Sequence, residues 1–338
     1  MINNSFFSTE ILRWFRENGR DLPWRETKDP YAIWLSEIIL QQTRIAQGWE
    51  YWERFMKTYP KVEDLAAASE DDVLKLWQGL GYYSRARNLH AAAKQIVELG
   101  HFPDTLEGIK VLKGVGDYTA AAIGSFAFDI PAAVVDGNVY RVLSRYFGID
   151  TPINSTQGKK EFAALAQSLL PASDAASYNQ GMMDFGAIQC TPQSPKCLVC
   201  PLAETCEALR TGRVEELPVK NKTLKVKTRH LSYIYIRCKG DVAIHRRGEG
   251  DIWQGLWEPY NASDALQLPA FVHNPLLLAK DVKHVLTHRI LLADFYLQET
   301  ETRPLLPDDY IWVKEDEIEQ YGVPRLIEIM LEMVQAKS

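Results

Sequence analysis

The sequence lacks the features that mark membrane-spanning or exported proteins. No apolar run approaches the roughly 20 residues that a membrane-spanning helix needs, and the opening stretch MINNSFFSTE has no basic segment followed by an apolar one. We also find no repeat at a fixed period and no low-complexity stretch. We therefore expect a soluble, intracellular chain without a signal peptide and without a membrane partner.

Positive charge is also in short supply, because 38 Lys and Arg residues face 44 Asp and Glu residues, which gives a net charge of -6. Nucleic-acid binding usually leaves a basic footprint, so the composition argues mildly against it. It does not exclude such binding, since the local arrangement of charge matters more than the sum. One segment, from Pro218 to His230, has five basic residues and no acidic one: Lys220, Lys222, Lys225, Lys227 and Arg229. This segment is either a solvated linker or a strap that contacts phosphates.

Cysteine is scarce, with five in the whole chain, but four of them lie within 17 residues. The run CTPQSPKCLVCPLAETC places Cys190, Cys197, Cys200 and Cys206 at the spacing C-x6-C-x2-C-x5-C. In a reducing compartment clustered thiols indicate metal more often than a disulfide. Four thiolates could hold zinc or an iron-sulfur cluster, although structural zinc tends to use two C-x2-C pairs and this run has only one. Cys238 is interpreted as a small apolar residue in a strand.

The length of 338 residues favours two domains. Apolar residues recur at helical spacing up to about residue 190, whereas after Pro218 the segments 231–238, 241–247, 288–298 and 310–313 alternate as strands do. A final helix follows, with Pro324 near its start. We predict a helical domain over 1–213, a basic linker over 214–230 and a smaller α+β domain over 231–338.

Two short motifs in the helical part are typical of a phosphate-binding turn and of the start of a helix. The stretch LKGVGDYTA has Gly114 and Gly116 between two helices, where a tight turn and the amides of the next helix suit an anion. Asp136 precedes a segment with helical spacing in VVDGNVYRVLSR, which is a favoured position for an N-cap. Taken alone, both patterns are also typical of ordinary turns and helix starts.

Glu37 is an unusual residue for its surroundings. In WLSEIILQQT its neighbours at helical spacing are Ile33, Trp34, Leu40 and Gln41, so the segment predicts a buried helix. A buried ionised carboxylate costs several kcal/mol unless it is paired or stays protonated. Glu37 is therefore either a protonated acid with a chemical role or a structural carboxylate paired with an arginine such as Arg20 or Arg25.

Together these motifs resemble the helix-hairpin-helix-Gly/Pro-Asp superfamily of DNA glycosylases and, within it, the adenine DNA glycosylases of the MutY family. The resemblance is strong over roughly residues 6–230 and weaker beyond, where the chain is similar to the family's MutT-like (Nudix-like) domain. It depends on the stretches RDLPWR, WLSEIILQQTR, GLGYYSRARNLH, LKGVGDYTA, VDGNVYRVLSR and the cysteine run.

The resemblance implies a multidomain protein. It comprises an all-α helix-hairpin-helix glycosylase domain, an iron-sulfur module with one 4Fe-4S cluster on the four clustered cysteines, and an α+β Nudix-like domain. Members of the family remove adenine mispaired with 8-oxoguanine after flipping it out of the duplex. We thus expect a monomeric enzyme that binds double-stranded DNA with an adenine:8-oxoguanine or adenine:guanine mispair, in the cytoplasm at the nucleoid.

The resemblance also implies roles for the two carboxylates. Glu37 would protonate ring nitrogen 7 of adenine, because apolar surroundings let it keep a proton near neutral pH. Asp136, kept ionised by its helix N-terminus, would stabilise the sugar cation or form a transient covalent adduct, and Asn138 would orient water or the acid. Tyr118 stands where bifunctional relatives carry the lysine that forms a Schiff base. The chain is therefore expected to lack lyase chemistry by that route.

Further positions follow from the match to the family. The adenine pocket would be lined by Arg20, Leu22, Trp24 and Gln180. Other residues would contact DNA, namely Gln42 and Tyr82 in the base stack and Gly114 and Gly116 at the hairpin. Trp24 and Tyr82 could equally be core aromatic residues.

The C-terminal domain departs from the family pattern in one place. The usual 8-oxoguanine recognition loop Phe-Ser-His is replaced by Leu286, Thr287 and His288, which keeps a hydroxyl and loses a ring. No R-E-x-x-E-E pattern for magnesium follows, so this domain is expected to bind rather than hydrolyse, or to be a structural cap. Two other functions stay open for the whole chain: a glycosylase for oxidised pyrimidines, and a catalytically silent DNA-binding scaffold.

Overall fold

A computed structural model describes residues 4–221, 226–262 and 271–337. The chain divides into two compact units, Met1–Trp52 with Ala92–Lys222, and Glu53–Ala91 with Thr223–Ser338. The helices are α1 Asn4–Asn18, α2 Pro30–Leu40, α3 Ile45–Thr58, α4 Val62–Ala67, α5 Glu70–Trp77, α6 Ser84–Leu99, α7 Leu106–Val111, α8 Asp117–Phe128, α9 Gly137–Phe147, α10 Thr156–Leu169, α11 Ala175–Asp184, α12 Glu207–Arg210 and α13 Arg325–Gln335. The strands are β1 Lys227–Cys238, β2 Asp241–Arg246, β3 Trp257–Glu258, β4 Tyr260–Asn261, β5 Leu276–Val285, β6 Arg289–Thr300 and β7 Tyr310–Lys314.

The first unit is helical, and polar side chains fix where several of its helices begin. Thr105 caps α7 by accepting a hydrogen bond from the Gly108 amide at 3.1 Å, and Ser155 caps α10 through the Gly158 amide at 2.9 Å. The core between α1, α9, α10 and α11 buries Phe7, Ile11, Leu143 and Phe162 completely. A second cluster joins α2 and α8, and it sets the helix with Glu37 against the helix with Tyr118.

The second unit is built on a seven-stranded sheet of order β3-β2-β1-β6-β5, with β4 also paired to β1 and β7 to β2. The strands β1 and β6 run parallel over their whole length, and the other pairs are antiparallel. Lys239 and Gly240 join β1 to β2 with positive φ values of 52° and 82°, as the predicted hairpin turn requires. The helices α4 and α5 belong to this unit, where the Arg246 guanidinium pairs with Glu70 at 2.9 Å.

The predicted fold class, a helical part followed by a smaller α+β part, is confirmed. The four predicted strands and the final helix after Pro324 are present, but β5 was missed because its exposed residues do not alternate and a bulge interrupts it near Asp281. The compact units do not follow the predicted domain boundaries, since Glu53–Ala91 clusters with the C-terminal sheet. Those boundaries stay a prediction.

The predicted basic linker is in part ordered structure. Its last residues, Lys227 to Arg229, lie in β1 and pair with β6, so β1 begins four residues before the predicted strand. The Val219 carbonyl accepts from the Ile153 amide at 3.0 Å, which ties this end of the segment to the helical unit. Lys222 and Lys225 lie outside the described residues. Over the part of the chain that the structure covers, no helix combines the length and low charge of a membrane span.

Candidate active site

Glu37 lies near the end of α2, a helix on which every residue from Tyr31 to Ile39 is buried. The helix begins at Pro30 and is capped by Asp29, which accepts from the Tyr31 amide at 3.0 Å. The Glu37 side chain lies in a nearly dry environment, with 7% of the residue exposed. Burial raises its pKa to about 7, and the Asp136 carboxylate adds to the rise, whereas the Tyr118 hydrogen bond and the Arg25 charge oppose it. A group with this pKa can act as an acid at neutral pH.

Tyr118, on the first turn of α8, is the hydrogen-bond donor to Glu37. Its hydroxyl lies 3.0 Å from Glu37 Oε2. Burial, and then the two neighbouring carboxylates, raise the pKa of Tyr118 well above its ordinary value, so the hydroxyl keeps its proton. Because one oxygen of Glu37 already accepts from Tyr118, Oε1 is the oxygen left to carry a proton that can be transferred.

Asp136 is the N-cap of α9, as its position in the sequence favours. Its Oδ1 accepts from the Val139 amide at 2.8 Å, and its Oδ2 accepts from the Asn138 side chain at 2.7 Å. Burial nevertheless raises the pKa of Asp136, although these donors and the Arg141 charge oppose the rise. The helix N-terminus thus acts on Asp136 as expected from the sequence, through the Val139 amide, and burial acts in the opposite direction.

Arg141 connects this carboxylate to the cysteine run. Its guanidinium donates to the Asn138 Oδ1 at 2.8 Å, to the Gly186 carbonyl at 2.6 Å and to the Cys190 carbonyl at 2.7 Å. A side chain at Gly186 would clash with Asn138, because an added Cβ would lie 2.5 Å from the Asn138 Cβ and 3.0 Å from its backbone. Arg141 was not predicted from the sequence; an arginine inside the apolar spacing of VYRVLSR was the available signal.

One cavity is lined by Glu37 and by the four residues that the family match assigns to the adenine pocket: Arg20, Leu22, Trp24 and Gln180. Its walls also include Arg25, Ile33 and Phe126. Leu22 and Trp24 are buried, and the Trp24 ring packs edge-on against Trp49 and Trp52 at 5.8 and 5.6 Å between centroids. Trp24 thus belongs to an aromatic core and to the cavity wall at once.

Asp184, the last residue of α11, is the partner of both arginines in the cavity. It is fully buried, and it accepts from the Arg20 amide and Nε at 2.9 Å each and from two nitrogens of Arg25 at 2.8 Å each. Arg20 Nη2 makes a further ion pair with it. These donors lower the pKa of Asp184, although burial acts in the opposite direction. The interpretation of Glu37 as the structural partner of Arg20 or Arg25 is therefore wrong.

The four clustered cysteines line a second cavity, with Arg145, Lys196 and Leu209 also in its wall. All four are half-buried, and no disulfide joins any of them to another described residue. Arg145 Nη1 donates to the Cys190 sulfur at 3.4 Å and to the Thr191 carbonyl at 2.7 Å. Among the described residues no three ligand side chains meet closely enough for a single metal ion. Four cysteine thiols around one cavity form a ligand set that an iron-sulfur cluster can use.

Three of the four residues assigned to DNA contact, Gln42, Tyr82 and Gly114, have positive φ. Gln42 and Tyr82 both have positive φ, 58° and 48°, a conformation that only a constrained environment keeps in residues other than glycine. Tyr82 is 45% exposed, so it is not a core aromatic residue. Gly114 has φ of 77° in the hairpin, and Gly116 is the N-cap of α8 with open space where a side chain would be. Gln42 lies in the first unit and Tyr82 in the second.

Leu286, Thr287 and His288 form the turn between β5 and β6. The Leu286 amide donates to the Arg289 carbonyl at 2.8 Å, and Thr287 and His288 are exposed. The Thr287 hydroxyl is hydrogen-bonded to the Tyr82 hydroxyl in the same unit.

Glu258 is a buried carboxylate elsewhere in this domain. It accepts a hydrogen bond from Asn261 at 3.2 Å and is paired with the buried Arg247, so its oxygens are bonded to donors of the protein.

Three family models match successive parts of the chain. A model described as the HhH-GPD superfamily base excision DNA repair protein matches residues 35–171. A model of the iron-sulfur binding domain of endonuclease III matches residues 190–206, and a NUDIX domain model matches residues 232–333. The iron-sulfur match and the adenine DNA glycosylase relatives confirm the expected 4Fe-4S cofactor, and the matched segment begins at Cys190 and ends at Cys206. All three models agree with the predicted order of modules.

Curated relatives carry one description. An adenine DNA glycosylase of Buchnera aphidicola (subsp. Acyrthosiphon pisum) is 38% identical over 256 residues, which covers 74% of this chain and 73% of that protein. The adenine DNA glycosylase of Mus musculus is 43% identical over 226 residues, covering 63% of this chain, and that of Homo sapiens is 42% identical over 222 residues, covering 62%. These alignments span 44% and 41% of the two mammalian proteins.

Two solved structures resemble somewhat less than two thirds of the chain. A thermostable thymine-DNA glycosylase is 34% identical with a TM-score of 0.58, covering 62% of this chain and 97% of that one. A non-covalent complex of endonuclease III with DNA has a TM-score of 0.55, covering 63% of this chain and 99% of that one. At 22% identity this second likeness concerns the fold alone.

Proposed function

Because the chain belongs to the adenine DNA glycosylase family, and is thus a DNA glycosylase of base excision repair, we propose that it hydrolyses the N-glycosidic bond of adenine paired with 8-oxoguanine or guanine. Its proposed partner is double-stranded DNA with that mispair. One observation carries the proposal: Glu37 is buried, has a pKa near 7 and lines the same cavity as Arg20, Leu22, Trp24 and Gln180.

The proposed chemistry begins with a proton on Glu37 Oε1. Tyr118 holds the other oxygen of the carboxyl group, so the free oxygen faces the flipped adenine and donates its proton to ring nitrogen 7. The protonated base leaves with the bonding electron pair, and positive charge develops on the sugar. After base release Glu37 is ionised and can accept a proton from the attacking water.

Asp136 is proposed to stabilise the sugar cation, directly or as a covalent adduct that water then hydrolyses. Asn138 fixes its orientation through the 2.7 Å hydrogen bond to Oδ2, and Arg141 fixes Asn138 in turn. Burial favours contact of Asp136 with a cation, because an ionised carboxylate in a dry site gains most from a positive partner. No lysine amine is available at the Tyr118 position, so the product is an intact strand with an abasic site.

The proposed iron-sulfur site supplies structure rather than a reaction step. Cys190, Cys197, Cys200 and Cys206 would hold the cluster, whose iron atoms bind the four thiolates and thereby order the loop when bound. Arg141 and Arg145 bond to backbone carbonyls at Cys190 and Thr191 and so fix the loop next to the site. Purified protein should be brown with iron bound to four sulfur ligands, whereas a colourless zinc-loaded preparation with full activity would contradict this assignment.

The C-terminal domain is proposed to read 8-oxoguanine with the loop Leu286–His288 rather than to hydrolyse nucleotides. Its exposed Thr287 hydroxyl supplies a donor and an acceptor, and Tyr82 lies against it. The Thr287→Val variant should reduce the preference for 8-oxoguanine over guanine opposite adenine. An unchanged preference would favour a role as a structural cap.

The experiment is single-turnover cleavage of four labelled duplexes: adenine opposite 8-oxoguanine, adenine opposite guanine, thymine opposite guanine, and thymine glycol opposite adenine. The third is included because a solved thymine-DNA glycosylase is 34% identical to the chain. We expect adenine release in the first two, with strand cleavage only after alkali. Action on thymine glycol alone would select the oxidised-pyrimidine alternative, and binding without release the silent scaffold.

A further inference from the structure

Two arginines line the cavity with Glu37, yet both direct their guanidinium groups at a different carboxylate. Asp184 accepts on Oδ1 from Arg20 Nε at 2.9 Å and from Arg25 Nη2 at 2.8 Å. Its Oδ2 accepts from the Arg20 amide at 2.9 Å and from Arg25 Nη1 at 2.8 Å. Both oxygens are thus fully used, and Asp184 has no exposed surface. Such a bidentate arrangement fixes position as well as charge.

Arg25 makes further contacts besides its ion pair with Asp184. Its Nη1 also donates to the Arg20 carbonyl at 3.0 Å, and its guanidinium lies 5.5 Å from the centroid of the Phe15 ring. Only 12% of its side chain is exposed. An arginine with this many partners does not leave its place in the wall while Asp184 keeps its charge.

We propose that Asp184 is a positioning residue of the adenine pocket, which holds Arg20 and Arg25 in the wall and offsets part of their positive charge beside Glu37. The inference rests on the proposed function of Glu37 as the acid. Asp184 itself does not line the cavity and acts through the two arginines.

The charges around Glu37 explain why such a residue is needed. The groups that act on Glu37 are Tyr118 on α8, Asp136 at the start of α9, and Arg25 in the turn before α2. Arg25 is the positive one, and it lowers the pKa of Glu37, against the effect of burial. With Asp184 ionised, the cluster of two arginines and one aspartate carries one net positive charge. Without the negative charge of Asp184 the cluster would carry two positive charges, beside Glu37, which must keep its proton to act as the acid.

The test is the Asp184→Asn variant, which keeps the shape and removes the charge. Single-turnover adenine release is measured from pH 5.5 to 9 on the duplex that the wild-type protein cleaves. The rate falls as pH rises through the pKa of Glu37. The midpoint of this fall should move to lower pH by about one pH unit, so the rate at pH 8.5 drops about tenfold while the rate at pH 5.5 stays within about twofold. A uniform loss with an unchanged midpoint would show a merely structural role and overturn the proposal.

The Arg25→Gln variant completes the comparison and does not depend on the folding of Asp184→Asn. Removing the positive charge should move the midpoint to higher pH, in the opposite direction, whatever the loss in rate. In the double variant the shift caused by Asp184→Asn should become smaller than in the wild-type background, because Arg25 is absent and only Arg20 remains as a partner of residue 184. An unchanged midpoint in Arg25→Gln would overturn the proposal by itself.

Failure of this inference is distinct from failure of the proposed function. A wild-type protein that releases no adenine from either adenine duplex removes the proposed function. A wild-type protein that releases adenine, with midpoints that none of the three variants moves, removes only the positioning role of Asp184. Iron content and the absorption of the cluster serve as the folding control for every variant.

Discussion

Glu37 and Asp184 are both carboxylates on helices of the same unit, and both are almost completely removed from solvent. Burial raises the pKa of Glu37 to about 7, whereas the pKa of Asp184 is lowered. The difference lies in the donors, since Glu37 has the single hydroxyl of Tyr118 and Asp184 has two arginines. Burial therefore raises the pKa of Glu37 against a single hydroxyl donor, whereas two arginines outweigh burial at Asp184.

Asp136 lies between these two cases. It has an amide, an asparagine side chain and a more distant arginine as partners, yet burial still raises its pKa. Uncharged donors thus do not offset burial as two guanidinium groups do at Asp184. Of the three carboxylates, only Asp184, with two arginines bonded to it, has a pKa below its ordinary value.

The largest expected effect is on the rate of adenine release, and it tests Glu37 as the acid. Glu37→Gln removes the transferable proton and should lower the rate of adenine release by about 10²- to 10⁴-fold, the usual contribution of a general acid. Affinity for the mispaired duplex should change little, because Gln keeps the size and polarity of the side chain. Single-turnover rates and duplex binding measure the two quantities. The matched control is Glu98→Gln on the exposed face of α6, and full activity of Glu37→Gln would remove the acid assignment.

The next effect tests the paired carboxylate. Asp184→Ala leaves two arginines without their buried partner, which should cost about 3 kcal/mol, at the lower end for a buried pair because Arg20 is partly exposed. The melting temperature at a fixed scan rate should fall by about 5–10 °C. Asp150→Ala, which removes the exposed partner of Arg213 at 3.4 Å, should cost less than about 1 kcal/mol. Equal losses of unfolding free energy in the two variants would mean that the ion pairs of Asp184 contribute no more than an exposed ion pair does.

A third prediction concerns stability at the unpaired carboxylate. The folded pKa of Glu37, about 7, lies above its ordinary value of 4.5, so the folded protein loses stability as pH rises between these values. Glu37→Gln lacks this loss, and it should be more stable than the wild type by roughly 3 kcal/mol above pH 8, with no difference near pH 4.5. Melting temperatures across this range measure the trend. A constant difference at all pH values would contradict the raised pKa.

The smallest expected effect comes from the hydrogen bond between Tyr118 and Glu37. Tyr118→Phe removes a hydrogen bond that lowers the pKa of Glu37, so the alkaline midpoint of the rate profile should move to higher pH. The control is Tyr140→Phe on α9, whose ring packs against Phe162 at 5.2 Å between centroids. A midpoint that moves to lower pH in Tyr118→Phe would mean that the hydroxyl bonds to the protonated acid instead.

The sequence by itself determined the architecture and the chemical groups. Hydrophobic periodicity predicted the helical part, the strands of β1, β2, β6 and β7, and the final helix, because each pattern is local and depends only on which face is buried. It also singled out Glu37 and the four cysteines, since a carboxylate in an apolar helix and clustered thiols need no partner to be noticed. The same signal was present at Asp184, between Met183 and Phe185, and was not used.

Only the tertiary structure decided the pairing. Arg20 and Arg25 are separated from Asp184 by about 160 residues of sequence, and nothing local indicates that they bind it instead of Glu37. The strand β5 and the grouping of Glu53–Ala91 with the C-terminal sheet were decided in the same way, by contacts distant in sequence. The physical reason is that a pKa depends on which charges and donors surround a group in space, and their identity is fixed only when the chain has folded.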